Sequence, residues 1–182
     1  YHKDLGKSHT NFPNWLYLNT QNAEQNSVSS SNHPFTNDPD NSVLNLGTGT
    51  SELTNVNGED HIAYCWHSVE GYSKIGSFSG NANADGSFIY LGFRPAFFLW
   101  KRTDSTGTWG MIDSTRNTHN PLGQQLFPNT NDAEATYTIC DFLSNGIKMR
   151  NSFGDTNTGT IAFLAFAEHP FGGDNTAPAT AR

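Results

Sequence analysis

Two stretches of this chain are versions of one another. Leu18-Asn19-Thr20-Gln21-Asn22-Ala23-Glu24 returns 110 positions on as Pro128-Asn129-Thr130-Asn131-Asp132-Ala133-Glu134, and Ile62-Ala63-Tyr64 returns 99 positions on as Ile161-Ala162-Phe163. Internal duplication constrains architecture strongly, because each copy must adopt one blueprint. A long apolar run, from about Ile75 to Asp113, precedes the second Asn-Thr motif, and aligning the motifs puts Tyr1 where Met111 stands. The expected organisation is an incomplete first β unit over 1–74, a complete second unit over 75–173 and an extended tail over 174–182. Strands missing from the first unit would then be supplied from elsewhere, for instance by strand complementation from a neighbouring chain.

Composition decides the class. Charged residues make up 15% of the 182 and aromatics 13%. Asn, Ser, Thr and Gly dominate the polar share. That excludes both a Glu/Lys/Ala-rich helical protein and a disordered chain. Short alternating runs separated by Gly, Asn and Asp signals predict an all-β antiparallel sandwich of jelly-roll type, made of two related units with the first truncated.

The runs give specific expectations. His61 to Val69 reads as a strand with Ile62, Tyr64 and Trp66 on one face and Ala63, Cys65 and His67 on the other, inside the sandwich. Tyr72–Phe78 and Phe88–Phe93 read as a hairpin around Asp85-Gly86. Ala96–Arg102 and Trp109–Asp113 read as a second hairpin. Ile139–Ser144 and Ile147–Arg150 flank Asn145-Gly146, whose type I′ turn calls for two positive φ angles. Ile161–Ala167 is the last strand, and Ser42–Leu46 a further short candidate. Pro121–Phe127 and the Asn-x-x-Ala-Glu segments suggest short helical turns capped by Asn19 and Asn129. Ser29–Asn32 and Asn37–Asn41 are loop signals.

The net charge of −7, with ten Lys plus Arg and no basic cluster, argues against nucleic acid as a partner. No apolar run approaches ~18 residues, so no membrane insertion is expected. The chain opens on Tyr1 rather than Met, so its true start is expected upstream or processed away. Cys65 and Cys140 occupy non-equivalent places and read as two buried free thiols.

Few residues suggest chemistry. Glu24 and Glu134 are a repeated pair, and the duplication favours a turn role over the two-acid arrangement of a glycosidase. His67, whose counterpart is Phe166, reads as packing, and Glu168-His169 as a surface corner. Asn81-x-Asn83-x-Asp85-Gly86 resembles the front of a calcium loop but lacks the acid at position 12, which is Gly92. Asn81, Asn83 and Asp85 are therefore the metal candidates, and no cofactor is expected apart from calcium there. Trp15, Tyr17 and Trp109 are the candidates for stacking on sugar rings, against a core role. No catalytic constellation is present, and none is expected.

The run Ile62-Ala63-Tyr64-Cys65-Trp66-His67-Ser68-Val69-Glu70-Gly71-Tyr72-Ser73-Lys74-Ile75-Gly76 resembles a module of unknown function in predicted tail or fibre proteins of tailed phages of marine bacteria. The likeness continues through Gly92-Phe93-Arg94-Pro95-Ala96, Lys101-Arg102-Thr103-Asp104, Asp141-Phe142-Leu143-Ser144-Asn145-Gly146, Phe166–Gly173 and Pro178–Arg182. Such modules often lie beside lectin-like jelly-roll domains. The resemblance implies a non-enzymatic virion component, the C-terminal module of a tail fibre or appendage, attaching to host-surface glycan. It implies self-association, as a homotrimer or with neighbouring virion subunits, and a virion or extracellular setting. The alternatives are a glycan depolymerase or glycosidase, and a bacterial extracellular adhesin or filament subunit.

Overall fold

The computed structural model describes residues 1–8, 12–26, 34–40, 42–47 and 54–170, and among them the chain is all-β with no helix. The Ser29–Asn32 loop signal, Asn41 and the 174–182 tail lie outside the described residues. The contacts divide the chain into two units, one of Tyr1–Leu16 with Glu24–Cys65, the other of Tyr17–Ala23 with Trp66–Arg182. The expected boundary at 74/75 falls inside a strand.

The first unit is small. Strand β1 (Lys7–Ser8) pairs antiparallel with β2 (Phe12–Pro13), and single bridges join Trp15 to Gln25 and Phe35 to Leu46. Tyr1 packs edge-on against Phe35, with ring centroids 5.9 Å apart. Of the candidate strand at 42–46, only Leu46 pairs.

The second unit is a β-sandwich. Its first sheet has the order β3 (Ser73–Asn81), β10 (Thr158–Ala167), β5 (Pro95–Arg102), β6 (Trp109–Asp113). Its second sheet has the order β4 (Phe88–Tyr90), β9 (Gly146–Met149), β8 (Ala135–Leu143), β7 (Leu122–Gln125). All pairings are antiparallel. Strand alternation sends one set of side chains inward. Phe98, Trp100, Ile112, Ile161 and Phe163 from one sheet meet Ile89, Leu122, Cys140, Phe142, Ile147 and Met149 from the other, all buried in one cluster. Phe98 and Trp100 stack at 5.2 Å, and Phe163 packs 5.9 Å from Phe98. Burying each such side chain contributes on the order of 1.5–3 kcal/mol.

The hairpins β5–β6 and β8–β9 and the strand at 161–167 match the expectations. Five expectations are corrected. First, β3 and β4 do not form a hairpin: β3 pairs with β10 and β4 with β9, so residues 82–87 carry the chain from one sheet to the other. Asn83 and Asp85 donate their backbone N–H groups to the side-chain oxygens of Asn81 and Asn83, two successive Asx turns that redirect the chain. Second, Asn145-Gly146 is not a positive-φ turn. Leu143 pairs with Gly146, so the loop is Ser144-Asn145, and Gly146 is the first strand residue. A Cβ on Gly146 would overlap the Ile89 carbonyl oxygen, so the glycine serves the close approach of β4.

Third, Pro121–Phe127 is not helical, because Leu122–Gln125 forms β7. Asn129 is not a helix cap either; its Oδ1 accepts the backbone N–H of Trp109 at 3.0 Å. Fourth, residues 61–68 lie outside any strand, and Val69 makes only a single bridge to Ser73. Fifth, Cys65 is exposed while Cys140 is buried, both thiols being free.

The Asn-Thr motifs do share a conformation. Both Leu18-Asn19 and Pro128-Asn129 are turns. The Trp15–Gln25 bridge has its counterpart, 110 positions on, in the Gln125–Ala135 pair. Thr20 Oγ1 accepts the Asn22 N–H at 3.3 Å, and Thr130 Oγ1 accepts the Asp132 N–H at 3.4 Å. Glu24 accepts from Asn14 Nδ2 at 2.5 Å, and Glu134 from Gln124 Nε2 at 3.2 Å. The repeated glutamates hold turns, as the duplication suggested.

Candidate functional site

The solvent face of the second sheet is where the second unit offers both a cleft and exposed rings. Residues opposite one another on neighbouring strands share a face. Phe88 lies opposite Lys148, and Lys148 opposite Asp141, so these three form one row across β4, β9 and β8. The intervening Ile89, Ile147, Phe142 and Met149 are in the core. Two positions along β4, Tyr90 presents a second ring on the same side. Phe88 is 45% exposed and Tyr90 59%.

Beside this row is an open cleft of about 430 Å³ lined by Asn120, Pro121, Thr138, Asp141 and Arg150. Asn120 is held like an extra peptide unit: its Nδ2 donates to the Phe142 carbonyl at 3.0 Å and its Oδ1 accepts the Phe142 N–H at 2.9 Å. Arg150 follows β9, and its backbone N–H donates to the Ile139 carbonyl at 2.8 Å. Its Nε and Nη2 both donate to Asp141 Oδ2, at 2.6 and 2.5 Å. The Asp141 side chain is 11% exposed and that of Arg150 41%. A charge-assisted forked contact of this kind fixes both groups and leaves outward donors on the guanidinium. The cleft thus combines a guanidinium, a fixed carboxylate, an amide and a hydroxyl, with two rings on the same sheet face.

None of the six sequence candidates lines the cleft, and only Asp85 touches the row beside it, through Lys148. Trp15 is 7% exposed in the first unit. Trp109 and Tyr17 meet, the indole Nε1 donating to the Tyr17 carbonyl at 2.9 Å. Both rings are half-buried, so the contact ties residues 17–23 to β6. Asn81 Oδ1 accepts from Asn157 Nδ2 at 3.0 Å as well as from the Asn83 N–H. The Asp85 carboxylate pairs with the Lys148 ammonium at 2.7 Å, which holds it below the usual carboxylate range. The oxygens of this loop are engaged by protein donors and by a lysine. Among the described residues no group of three or more His, Cys, Asp or Glu is placed to hold a metal.

Sequence reasoning passed over Phe88, Tyr90, Asp141 and Arg150. The signal for the rings was Phe88-Ile89-Tyr90, where one inward isoleucine forces both neighbours outward. For the ion pair it was the hairpin, since a turn at Ser144-Asn145 sets Asp141 diagonal to Arg150.

No curated protein and no solved structure matches the chain. A family model described as a domain of unknown function, DUF7483, matches residues 1–170. A match over that length, covering the β-sandwich and the unit before it, makes the chain a member of the DUF7483 family.

Proposed function

We propose that this chain is a structural component of a phage virion, the C-terminal module of a tail fibre or related appendage, which attaches to glycans of the host surface through the outer face of its second sheet. The observation that carries the glycan reading is the pairing of exposed Phe88 and Tyr90 with the cleft at Asp141 and Arg150 on one face. Sugar rings present apolar C–H faces that stack on aromatic rings and hydroxyls that pair with planar polar groups. The net charge of −7 disfavours indiscriminate adhesion to anionic envelopes.

A binding role fits the cleft better than glycan hydrolysis does. Hydrolysis uses two carboxylates across the scissile bond. Among the cleft's described lining residues Asp141 is the one carboxylate, and Arg150 neutralises it. The virion setting, with assembly into a homotrimer or onto neighbouring subunits, rests on the likeness to phage tail modules noted above.

The test is a screen of the purified chain against host polysaccharides and a glycan array, repeated with Tyr90→Ala and Thr138→Trp. Both positions are exposed, so the thermal transition should stay put while affinity falls at least about tenfold, a loss of about 1.4 kcal/mol. Native-like binding by both variants, or no glycan bound by the parent, overturns the reading. Shortening of the polysaccharide would favour the depolymerase instead.

A further inference from the structure

Two Asn-Gly dipeptides occur in the chain, Asn57-Gly58 and Asn145-Gly146. In this dipeptide no side chain screens the second amide nitrogen, so that nitrogen can attack the asparagine's own Cγ. The attack requires the Asn-Gly peptide plane to rotate toward the side chain, because the peptide group moves as one rigid unit. What holds the carbonyl and the N–H of that plane decides whether it can rotate. Both asparagines are exposed, so exposure alone does not separate them.

At Asn145 the plane is clamped. The Asn145 carbonyl accepts the Leu91 N–H at 3.0 Å and the Gly92 N–H at 3.1 Å. Gly146 is buried and pairs with Leu143 across the hairpin. A Cβ on it would overlap the Ile89 carbonyl oxygen, so β4 leaves the plane no room to turn.

Asn57 has none of these restraints. It is the second residue of a turn from Val56 to Glu59, closed by the Glu59 N–H donating to the Val56 carbonyl at 3.2 Å. Gly58 stands third with a φ of 86°, the positive value that a type II turn places there. Among the described residues neither the Asn57 carbonyl nor the Gly58 N–H has a hydrogen-bond partner, and a Cβ on Gly58 would meet no atom within 4 Å. Glycine passes between positive and negative φ at little cost. The closing bond joins the residues on either side, so it survives a flip of the central plane from type II to type I.

We propose that Asn57 is a modification site, deamidated through a succinimide to aspartate and isoaspartate, and that the fold protects Asn145. The deprotonated Gly58 nitrogen bonds to Asn57 Cγ. The Cγ–Nδ2 bond breaks, and ammonia leaves with the proton. Water then adds to either ring carbonyl and opens the ring, with no electrons exchanged. Each event adds one negative charge to the first unit, which holds Asn57. The isoaspartate form also routes the main chain through the side-chain carbon and lengthens the turn. The inference stands on hydrogen bonding and turn geometry, independently of glycan binding.

Both sites can be followed in one sample. The purified chain is incubated in mildly alkaline buffer and digested, and mass spectrometry with chromatographic separation of isoaspartyl peptides reads conversion at each asparagine. Asn57 should convert at least about tenfold faster than Asn145, a barrier lower by about 1.4 kcal/mol. In urea the two rates should converge, because unfolding releases the clamp on Asn145. Equal rates in the native chain, or a faster Asn145, overturn the proposal. So does a difference that persists undiminished in urea, since the neighbouring residues rather than the fold would then set it.

Discussion

Asn157 donates its side-chain amide to Asn81 Oδ1 at 3.0 Å, joining the residue before β10 to the end of β3. The same fully buried amide donates to the Asn83 carbonyl at 2.9 Å and the Asn151 carbonyl at 2.6 Å. One side chain thus holds three segments that meet at the end of the sandwich. Replacing it with a carboxylate sets an acceptor against three acceptors. Asn157→Asp should cost at least about 3 kcal/mol at neutral pH, and Asn157→Ala about 1–3 kcal/mol. Urea unfolding of both checks this; a variant as stable as the parent would refute the account.

Lys101 gives a pH signature. It is fully buried, and its Nζ donates to the Arg102 carbonyl at 2.6 Å. Burial lowers its ammonium to about 8, with Asp155 opposing the shift. The folded pKa lies below the unfolded value of 10.5, so the unfolded chain binds more protons between those values. Stability should therefore gain roughly 3 kcal/mol from this group as pH rises from about 8 to 10.5, and the cost of the buried charge is felt below that window. Lys101→Met should remove this part of the slope and stabilise the protein at pH 7. Chemical denaturation of parent and variant across pH 7–10.5 measures the difference.

The two thiols should react unequally. Cys140 is fully buried and its thiol is pushed far above the ordinary range by that burial, with Asp141 adding to the shift. Cys65 is exposed. A thiolate reagent should titrate one cysteine per native chain and two in guanidinium. Two reactive thiols under native conditions would contradict the packing of β8.

Gly146 should resist substitution although it begins a strand next to a hairpin loop. A Cβ there meets the Ile89 carbonyl, so Gly146→Ala must push β4 outward and disturb Phe88 and Tyr90. A loss of about 1–3 kcal/mol is expected from overpacking. Glycan affinity, if Phe88 and Tyr90 carry it, should fall with it. An unchanged melting temperature would show that β4 moves freely.

Much of the sandwich is legible in the sequence. The inward sets on β5 and β10 follow from period two, and the Asn-Thr turns follow from the duplication. The hairpin at 82–87 was misread because Asp-Gly between two apolar runs is a local signal. The competing choice, pairing β3 with β10 and β4 with β9, involves residues more than fifty positions away. The site was less legible still. Trp15, Tyr17 and Trp109 were chosen as aromatic residues, and the fold spends Trp15 on burial and the other two on a mutual contact. Phe88 and Tyr90 were passed over because nothing local says that β4 is an edge strand.

The sequence by itself determined the class, the repeated Asn-Thr turns and which side chains of a strand can face the same way, since these depend on backbone preference and alternation within a few residues. Only the tertiary structure decided which strands pair, that Asp141 and Arg150 meet in a cleft, and that Ile62, Tyr64 and Trp66 are exposed while their counterparts in β10 are buried. Those outcomes depend on the neighbours a segment finds, and two segments that both begin Ile-Ala-aromatic end differently when only one of them lies between β3 and β5.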